Sequence, residues 1–365
     1  MLTGLFWVGD RSVFHKIFYY LCVLPSLLLI LTRPGIVTDL LTSRIFVAYL
    51  LFAAYLVISL SWSTNQESAI SLIKRPFLVP FLFFIAFELA HSRNDLFQKT
   101  ITTASAIAIV AAIFALALHW QTGETDRLVG YGAFDNPLLT SHVFGFFIAW
   151  WLGMLVAGQQ KLQPYAFTAV LVLGSVLLAT GARTPLFATA ATVLWLAIIS
   201  GNRRAMLAVL SLVVIGVTIW LLAPNVLTQR GLSYRTEIWL NVWQQIIEKP
   251  WLGHGYGAPL EVRLDGFSFV FLDSHNMTLS VIFCGGIIGL ILWIVLYGIT
   301  LFESWQWRKN IWVQAFSSTV IYGLVAGMTE GGSFISRPKE HWFLIWIPIT
   351  LLAATTWRLK KHGEI

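Results

Sequence analysis

Residues 164–200 read PYAFTAVLVLGSVLLATGARTPLFATAATVLWLAIIS, two apolar runs joined by Thr180-Gly181-Ala182-Arg183-Thr184-Pro185, with Arg183 the one formal charge in the stretch. A helix crossing the hydrocarbon core of a bilayer needs about 20 mostly apolar residues. The stretch therefore reads as two membrane helices folded back on each other at 181–185. The same pattern recurs along the chain. Spans are expected near 14–32, 43–61, 76–90, 100–119, 138–158, 164–181, 184–200, 205–223, 276–301, 313–329 and 341–357. The third is short, and the polar stretch 63–74 before it suits an interfacial helix.

The bulk composition agrees. Of 365 residues, 57% are hydrophobic and 11% charged, where a soluble domain carries about 25% charged residues. Mean hydropathy is +0.75. These values exclude a set of soluble domains, intrinsic disorder, a coiled coil and a disulfide scaffold. The fold class is all-α, a polytopic transmembrane helix bundle of 11–12 spans. Residues 1–365 are expected to form one membrane domain, with 224–275 as the one sizeable loop within it. Cys22 and Cys284 lie in apolar runs and read as small buried hydrophobes. The N-terminal apolar run has no small-residue cleavage site after it, so it reads as an uncleaved first span.

The net charge is +7, but the basic residues are clustered. Arg203 and Arg204, Arg308 and Lys309, and Arg358, Lys360 and Lys361 follow apolar segments. That is the pattern of cytoplasmic loops, not of a nucleic-acid surface. Counting spans from those loops puts 121–137, 224–275 and 330–340 outside, together with the turn at 181–185. Eleven spans leave the N-terminus outside. A twelfth, drawn from residues 1–9, would put it inside. In the long outer loop, 234–249 reads as an amphipathic helix: Ile238, Trp239, Val242, Trp243, Ile246 and Ile247 recur at helical spacing. Such a helix lies on the bilayer surface or lids a cavity. Pro250 ends it, and Gly253, Gly255 and Gly257 form a flexible turn after it.

Ionisable groups near membrane depth are costly and mark sites or pathways. Here Arg127, Arg183, Arg235, His275, Glu330 and Arg337 all map to the outer side, at span ends or in outer loops. The Arg183 guanidinium offers a planar fork that matches phosphate oxygens, or it snorkels to the headgroups. His275 stands in Leu272-Asp273-Ser274-His275-Asn276, just before a span. An imidazole there can take a proton from a hydroxyl, with Asp273 placed to orient it, or it is structural. Asn276 can cap the following helix. Arg235 opens the amphipathic helix, with Arg230 and Arg263 elsewhere in the loop, as phosphate ligands or solvated loop charges. Glu330 and Arg337 flank Gly331-Gly332-Ser333 and can form a local ion pair. His142 and His254 read as structural. The sequence has no glycine-rich phosphate loop, no clustered acidic pair and no His/Cys metal spacing. It offers phosphate-clamping cations and a base, with nothing to bind a nucleotide, a metal or another cofactor.

These segments, in order, resemble the O-antigen ligase and polymerase superfamily of bacterial envelope proteins. The resemblance begins with Asp126-Arg127-Leu128, Gly130 and Asn136-Pro137, followed by Gly181-Ala182-Arg183-Thr184. It continues with Tyr234-Arg235-Thr236-Glu237-Ile238-Trp239, running to Pro250-Trp251-Leu252-Gly253-His254-Gly255. Ser274-His275-Asn276 comes next, with Gly285, Gly286 and Gly289 downstream. Thr329-Glu330, Arg337-Pro338 and Glu340-His341-Trp342 close it. Within the superfamily the chain looks most like the O-antigen ligases, although its large loop is compact and it is one span short of the usual twelve.

That resemblance implies a glycosyltransferase of lipopolysaccharide biosynthesis in the bacterial inner membrane, acting at the periplasmic face without metal or ATP. Its donor would be a glycan on undecaprenyl pyrophosphate, and its acceptor a sugar of lipid A–core. Residue by residue, the family's two functional arginines match Arg183 and Arg235, with Arg230 a second claimant to the latter role. The family's histidine matches His275, and its late acidic residue matches Glu330. Arg127, Asp273 and Arg337 are expected to contact substrate. The same chemistry would serve an O-antigen polymerase, whose acceptor is a lipid-linked glycan. A transporter of lipid-linked glycan is the reading from another class. The absence of an internal repeat and the gathering of charges at one face favour an interfacial transferase over it.

Overall fold

The computed structural model describes residues 1–123, 127–158, 161–222, 234–264 and 266–363. Among them the chain is helical, with one isolated β-bridge between Val262 and Phe271. Among the described residues, nine helices are long and apolar enough to cross a membrane. We label them with the rest in chain order: α1 (Arg11–Thr32), α3 (Arg44–Trp62), α4 (Ala69–Ser92), α5 (Asn94–Thr122), α6 (Pro137–Ala157), α8 (Arg183–Ser200), α9 (Arg203–Leu222), α11 (Met277–Gln306) and α13 (Glu340–His362). Two further apolar helices, α7 (Gln163–Ala179) and α12 (Ile311–Gly327), have 17 residues each, about 25 Å at 1.5 Å per residue. The short α2 (Gly35–Leu41) and the loop helix α10 (Arg235–Glu248) complete the set.

These are the eleven apolar helices read from the sequence, with one adjustment. The third is not short: α4 starts at Ala69 and runs through Pro76 and Pro80, absorbing the second half of the stretch read as an interfacial helix. Residues 1–9 form no twelfth span. They hold one tight turn, Gly4–Phe6, whose Phe6 ring stacks 5.2 Å from Phe144, and the Met1 sulfur lies 3.7 Å from Cys22.

The helices sort by what they face. α6 and α13 are the centre, with 89% and 94% of their apolar windows buried, whereas α9 buries 6% and is a lipid-facing helix. Lipid tails are as apolar as leucine, so burial alone cannot hold helices together here. Close packing and interhelical hydrogen bonds do that work. Ser318 on α12 donates to the Ala149 carbonyl of α6 at 2.6 Å, and Tyr322 to that of Ser141 at 3.1 Å. The Trp195 indole of α8 donates to Ser317 at 3.0 Å. α6, α8 and α12 therefore form one block, and their ends at the loop-rich face hold fixed positions.

The large loop is anchored to that block's neighbour. Gly286 interrupts α11 with φ 59° and ψ −157°, a conformation that only glycine adopts readily, and a Cβ there would meet the Trp251 carbonyl. The break frees backbone groups that hydrocarbon cannot satisfy, and the loop supplies their partners. His254 and Gly255 donate to the carbonyls of Phe283 and Cys284 at 2.8 and 2.9 Å, and Ile287 donates to the Pro250 carbonyl at 2.8 Å. The glycines after Pro250 thus do not make a flexible turn. Gly253 and Gly255 permit backbone to lie against backbone.

Candidate functional site

Three segments converge at the loop-rich face. The first is the α7–α8 turn. The Thr180 carbonyl accepts from Arg127 Nε at 2.5 Å, and that of Ala179 from the Leu128 amide at 3.0 Å. Arg127 lies against Gly181. It acts from behind, fixing the turn from which Arg183 and Thr184 open α8.

The second is the start of α10. Tyr234 takes a left-handed conformation, φ 54°, and Arg235 follows as the first helical residue. Ile238, Val242 and Ile246 are buried and the Trp239 indole donates to the Ser274 carbonyl at 3.1 Å, while Leu240, Trp243 and Ile247 stay exposed. The apolar stripe read from the sequence is split: Ile238, Val242 and Ile246 pack on the protein, and Trp243 and Ile247 face outward.

The third is Thr329-Glu330. Glu330 is 1% exposed and forms a salt bridge with Arg235, which is 27% exposed. Thr184 Oγ1 lies 3.4 Å from the same carboxylate oxygen, and Thr329 Oγ1 donates to Thr184 at 2.9 Å. Burial, reinforced by the nearby charge of Arg183, lowers the affinity of Arg235 for its proton below the ordinary guanidinium value. Arg235 thus has a buried carboxylate as its partner and the charge of Arg183 within electrostatic reach. Beneath them His142, 1% exposed, lies within electrostatic reach of Arg235, its ring centre 6.1 Å from that of His341.

His275 borders this cluster. Gly331 turns with φ +65°, where a side chain would strike the His341 ring, and Gly332 lies against Asp273 and Ser280. The turn before α11 is closely bonded. Asp273 Oδ1 accepts from the His275 amide at 2.7 Å, the hydroxyls of Ser274 and Ser280 are 2.7 Å apart, and Asn276 caps α11 by accepting from the Leu279 amide at 3.0 Å. His275 itself is held at φ 48°. A non-glycine residue there costs about 1–3 kcal/mol and persists where its surroundings impose it, commonly at functional sites. Asp273 was read as orienting the imidazole; it grips the histidine's backbone instead.

The structure therefore pairs Arg235 with Glu330, brings Thr184 to the same carboxylate and Arg183 within electrostatic reach of Arg235, packs Asp273, two residues before His275, against Gly332, and sets Arg127 on the α7–α8 turn. Arg337 is elsewhere. It does not pair with Glu330 but lies at the surface, 3.5 Å from Ser71. Arg230 falls outside the described residues. His254 is structural as read, bonding the Gln245 carbonyl at 2.8 Å and stacking on Phe283. Two features went unread: the threonine relay from Thr329 through Thr184 to Glu330, and the pairing of fully buried Glu340 with Arg11, 2.8 Å, which also bonds Asp135 at 2.7 Å. Only the second had a signal, as charges at the two ends of apolar spans. Among the described residues no three His, Cys, Asp or Glu side chains group so as to hold a metal ion. Two guanidinium groups within electrostatic reach of each other, one of them held by a buried carboxylate, can receive an anion with several oxygens.

Comparison with known proteins gives two findings. The family described as O-antigen ligase matches residues 167–294, a stretch that takes in Arg183, Arg235 and His275. A curated protein from Pseudomonas aeruginosa named O-antigen ligase is 44% identical over 356 residues, covering 97% of this chain and 88% of that relative.

Proposed function

We propose, because the chain belongs to the O-antigen ligase family, that it transfers polysaccharide from undecaprenyl pyrophosphate to a sugar of lipid A–core, at the periplasmic face of the bacterial inner membrane. The observation that carries this reading is the buried Arg235–Glu330 pair, with Thr184 on the same carboxylate and the charge of Arg183 within reach of Arg235. Orientation follows from charge. Arg93, Lys161, Arg203, Arg204, Arg308 and Lys309 lie in the short connections at the opposite end of the bundle, which the positive-inside rule assigns to the cytoplasm. The site then faces the periplasm. The whole chain acts as one membrane unit, with 224–275 the large loop within it.

The reaction is a single displacement. The acceptor hydroxyl oxygen attacks the anomeric carbon, the bond from that carbon to the phosphate oxygen breaks, and undecaprenyl pyrophosphate leaves with the electron pair. Arg183 and Arg235 hold the diphosphate and stabilise the charge that grows on it. His275 takes the hydroxyl proton, and the anomeric configuration inverts. Glu330 keeps Arg235 in place before the donor arrives. The diphosphate is already a good leaving group, so the scheme calls on neither nucleotide nor metal.

The test is transfer by purified protein in liposomes, with lipid-linked glycan and lipid A–core, chelator present and nucleotide absent. We expect glycosylated lipid A–core and released undecaprenyl pyrophosphate, with most activity lost in His275→Ala. Near-full transfer by that variant would remove the base from the scheme, and a strict need for nucleotide would remove the scheme itself.

A further inference from the structure

A cavity of about 380 Å³ opens at the loop-rich face, with Asp273 of the 273–276 turn in its lining. Phe283 and Cys284 floor it, and exposed Gln66 and Glu261 stand at its mouth. Between them lie Arg75, Tyr256 and Asp273. Neither Arg183 nor Arg235 lines it.

We propose that this cavity is the acceptor subsite, seating the sugar ring whose hydroxyl His275 deprotonates. The inference rests on the transferase reading above and adds where the acceptor saccharide binds. Three observations support it. The first is chemistry. A sugar ring presents hydroxyls that both donate and accept along its edge and apolar C–H faces. The cavity matches that mixture, with Asp273 and Glu261 to accept, Arg75 to donate, and the rings of Tyr256 and Phe283 for the faces. Arg75 bonds Glu67 through Nη2 alone, at 2.6 and 2.5 Å to the two oxygens, so the bridge occupies one corner of its fork. The buried Tyr256 hydroxyl lies beside Arg75.

The second is position. Asp273 belongs to both spaces. Its carboxylate holds the His275 amide at 2.7 Å, and its side chain lines the cavity wall. His275 thus follows a wall residue of the cavity by two positions and is bonded to it through the backbone. The third is exclusion. The diphosphate belongs with Arg183 and Arg235, so the donor enters from the other side, and the cavity is the space left for the second substrate. Lys339, within electrostatic reach of both Asp273 and Arg75, adds a cation for an acidic substituent on the acceptor.

The experiment uses the full chain in detergent or liposomes. Arg75→Gln, Glu261→Gln and the cavity-filling Ala258→Phe are compared with wild type, varying donor and acceptor separately. We expect acceptor KM to rise about tenfold for Arg75→Gln, as for loss of one charge-assisted hydrogen bond, with donor KM within about twofold. Delipidated core oligosaccharide, titrated into wild type and Ala258→Phe by calorimetry, should bind the first and not the second. This reads the cavity without catalysis and covers the case in which Arg75→Gln fails to fold. Unchanged acceptor KM, a rise in donor KM instead, equal oligosaccharide binding by both proteins, or none by wild type would each overturn the proposal. Failure of wild type to transfer glycan, with oligosaccharide still bound, would instead sink the transferase reading.

Discussion

Two arginine–glutamate bridges stand on either side of the His275 turn, built from the same residue types and solvated in opposite ways. Glu330 is 1% exposed and pairs with Arg235, whereas Glu67 is 43% exposed and pairs with Arg75. Away from water a carboxylate cannot lose its partner cheaply, and removing one member of such a pair leaves an uncompensated charge. An exposed pair trades its partner for water and gains little either way. The donor side of the site is thus preset and intolerant of change, while the acceptor side can vary its contacts at small cost to folding. That difference suits a protein that grips one constant group, a diphosphate, and reads a saccharide beside it.

The hardest test of this contrast is Glu330→Ala. It leaves Arg235 without its buried partner and with the charge of Arg183 nearby, and the cost of breaking such a pair is about 3–5 kcal/mol. A large drop in unfolding midpoint is expected, and with it a loss of transfer, because the guanidinium no longer rests where the donor needs it. Undecaprenyl pyrophosphate should then raise the variant's midpoint by more than it raises that of wild type, since the ligand brings the missing negative charge and stabilises the state that binds it. A variant that melts like wild type and gains no more from the ligand would mean that the buried pair is not what organises the arginines.

A middle-sized effect separates charge from shape. Arg183→Lys keeps the charge and loses the planar fork, and the two are not interchangeable where two oxygens are bound at once. Transfer should fall by about 10- to 100-fold, equivalent to about 1.4–2.7 kcal/mol in the barrier, with the unfolding midpoint unchanged. Arg75→Lys in the same assay should lose no more than about threefold, since a hydroxyl accepts from an ammonium almost as readily as from a guanidinium. Equal losses in the two variants would erase the distinction between a diphosphate side and a sugar side.

How much of this was legible in the sequence depends on which constraint wrote each feature. Hydrocarbon demands long apolar runs, so the helices could be read off, and even the two of 17 residues were found. The cost of charge near the membrane also singled out Arg183, Arg235, His275 and Glu330. Pairing was another matter. Glu330 has Arg337 seven residues away and joins Arg235 ninety-five residues away, because helix packing rather than chain proximity sets which loop ends meet. Thr184 and Thr329 look like any small polar residues near a span end. The glycines of 253–257 carry the composition of a flexible turn, and only the break at Gly286 shows that they are a docking surface. The cavity, assembled from α4, the large loop and 332–335, has no local signature at all.

The smallest effect belongs to Glu67→Gln, and its pH dependence makes it informative. A hydrogen bond from Ser71, then the charge of Arg75, holds the Glu67 carboxyl below its ordinary range. A carboxylate with a depressed folded-state value contributes stability above its unfolded value and loses that contribution as pH falls through the folded one. Wild type should therefore exceed the variant by no more than about 1 kcal/mol at neutral pH, and the gap should close in acid or in high salt, which screens exposed pairs. Acceptor KM should rise slightly as Arg75 loses the carboxylate that aims it, and donor KM should not move. A stability loss as large as that of Glu330→Ala, or one that persists in acid, would show that this bridge is as desolvated as its counterpart across the turn, and that the two sides of the site are not built on different principles.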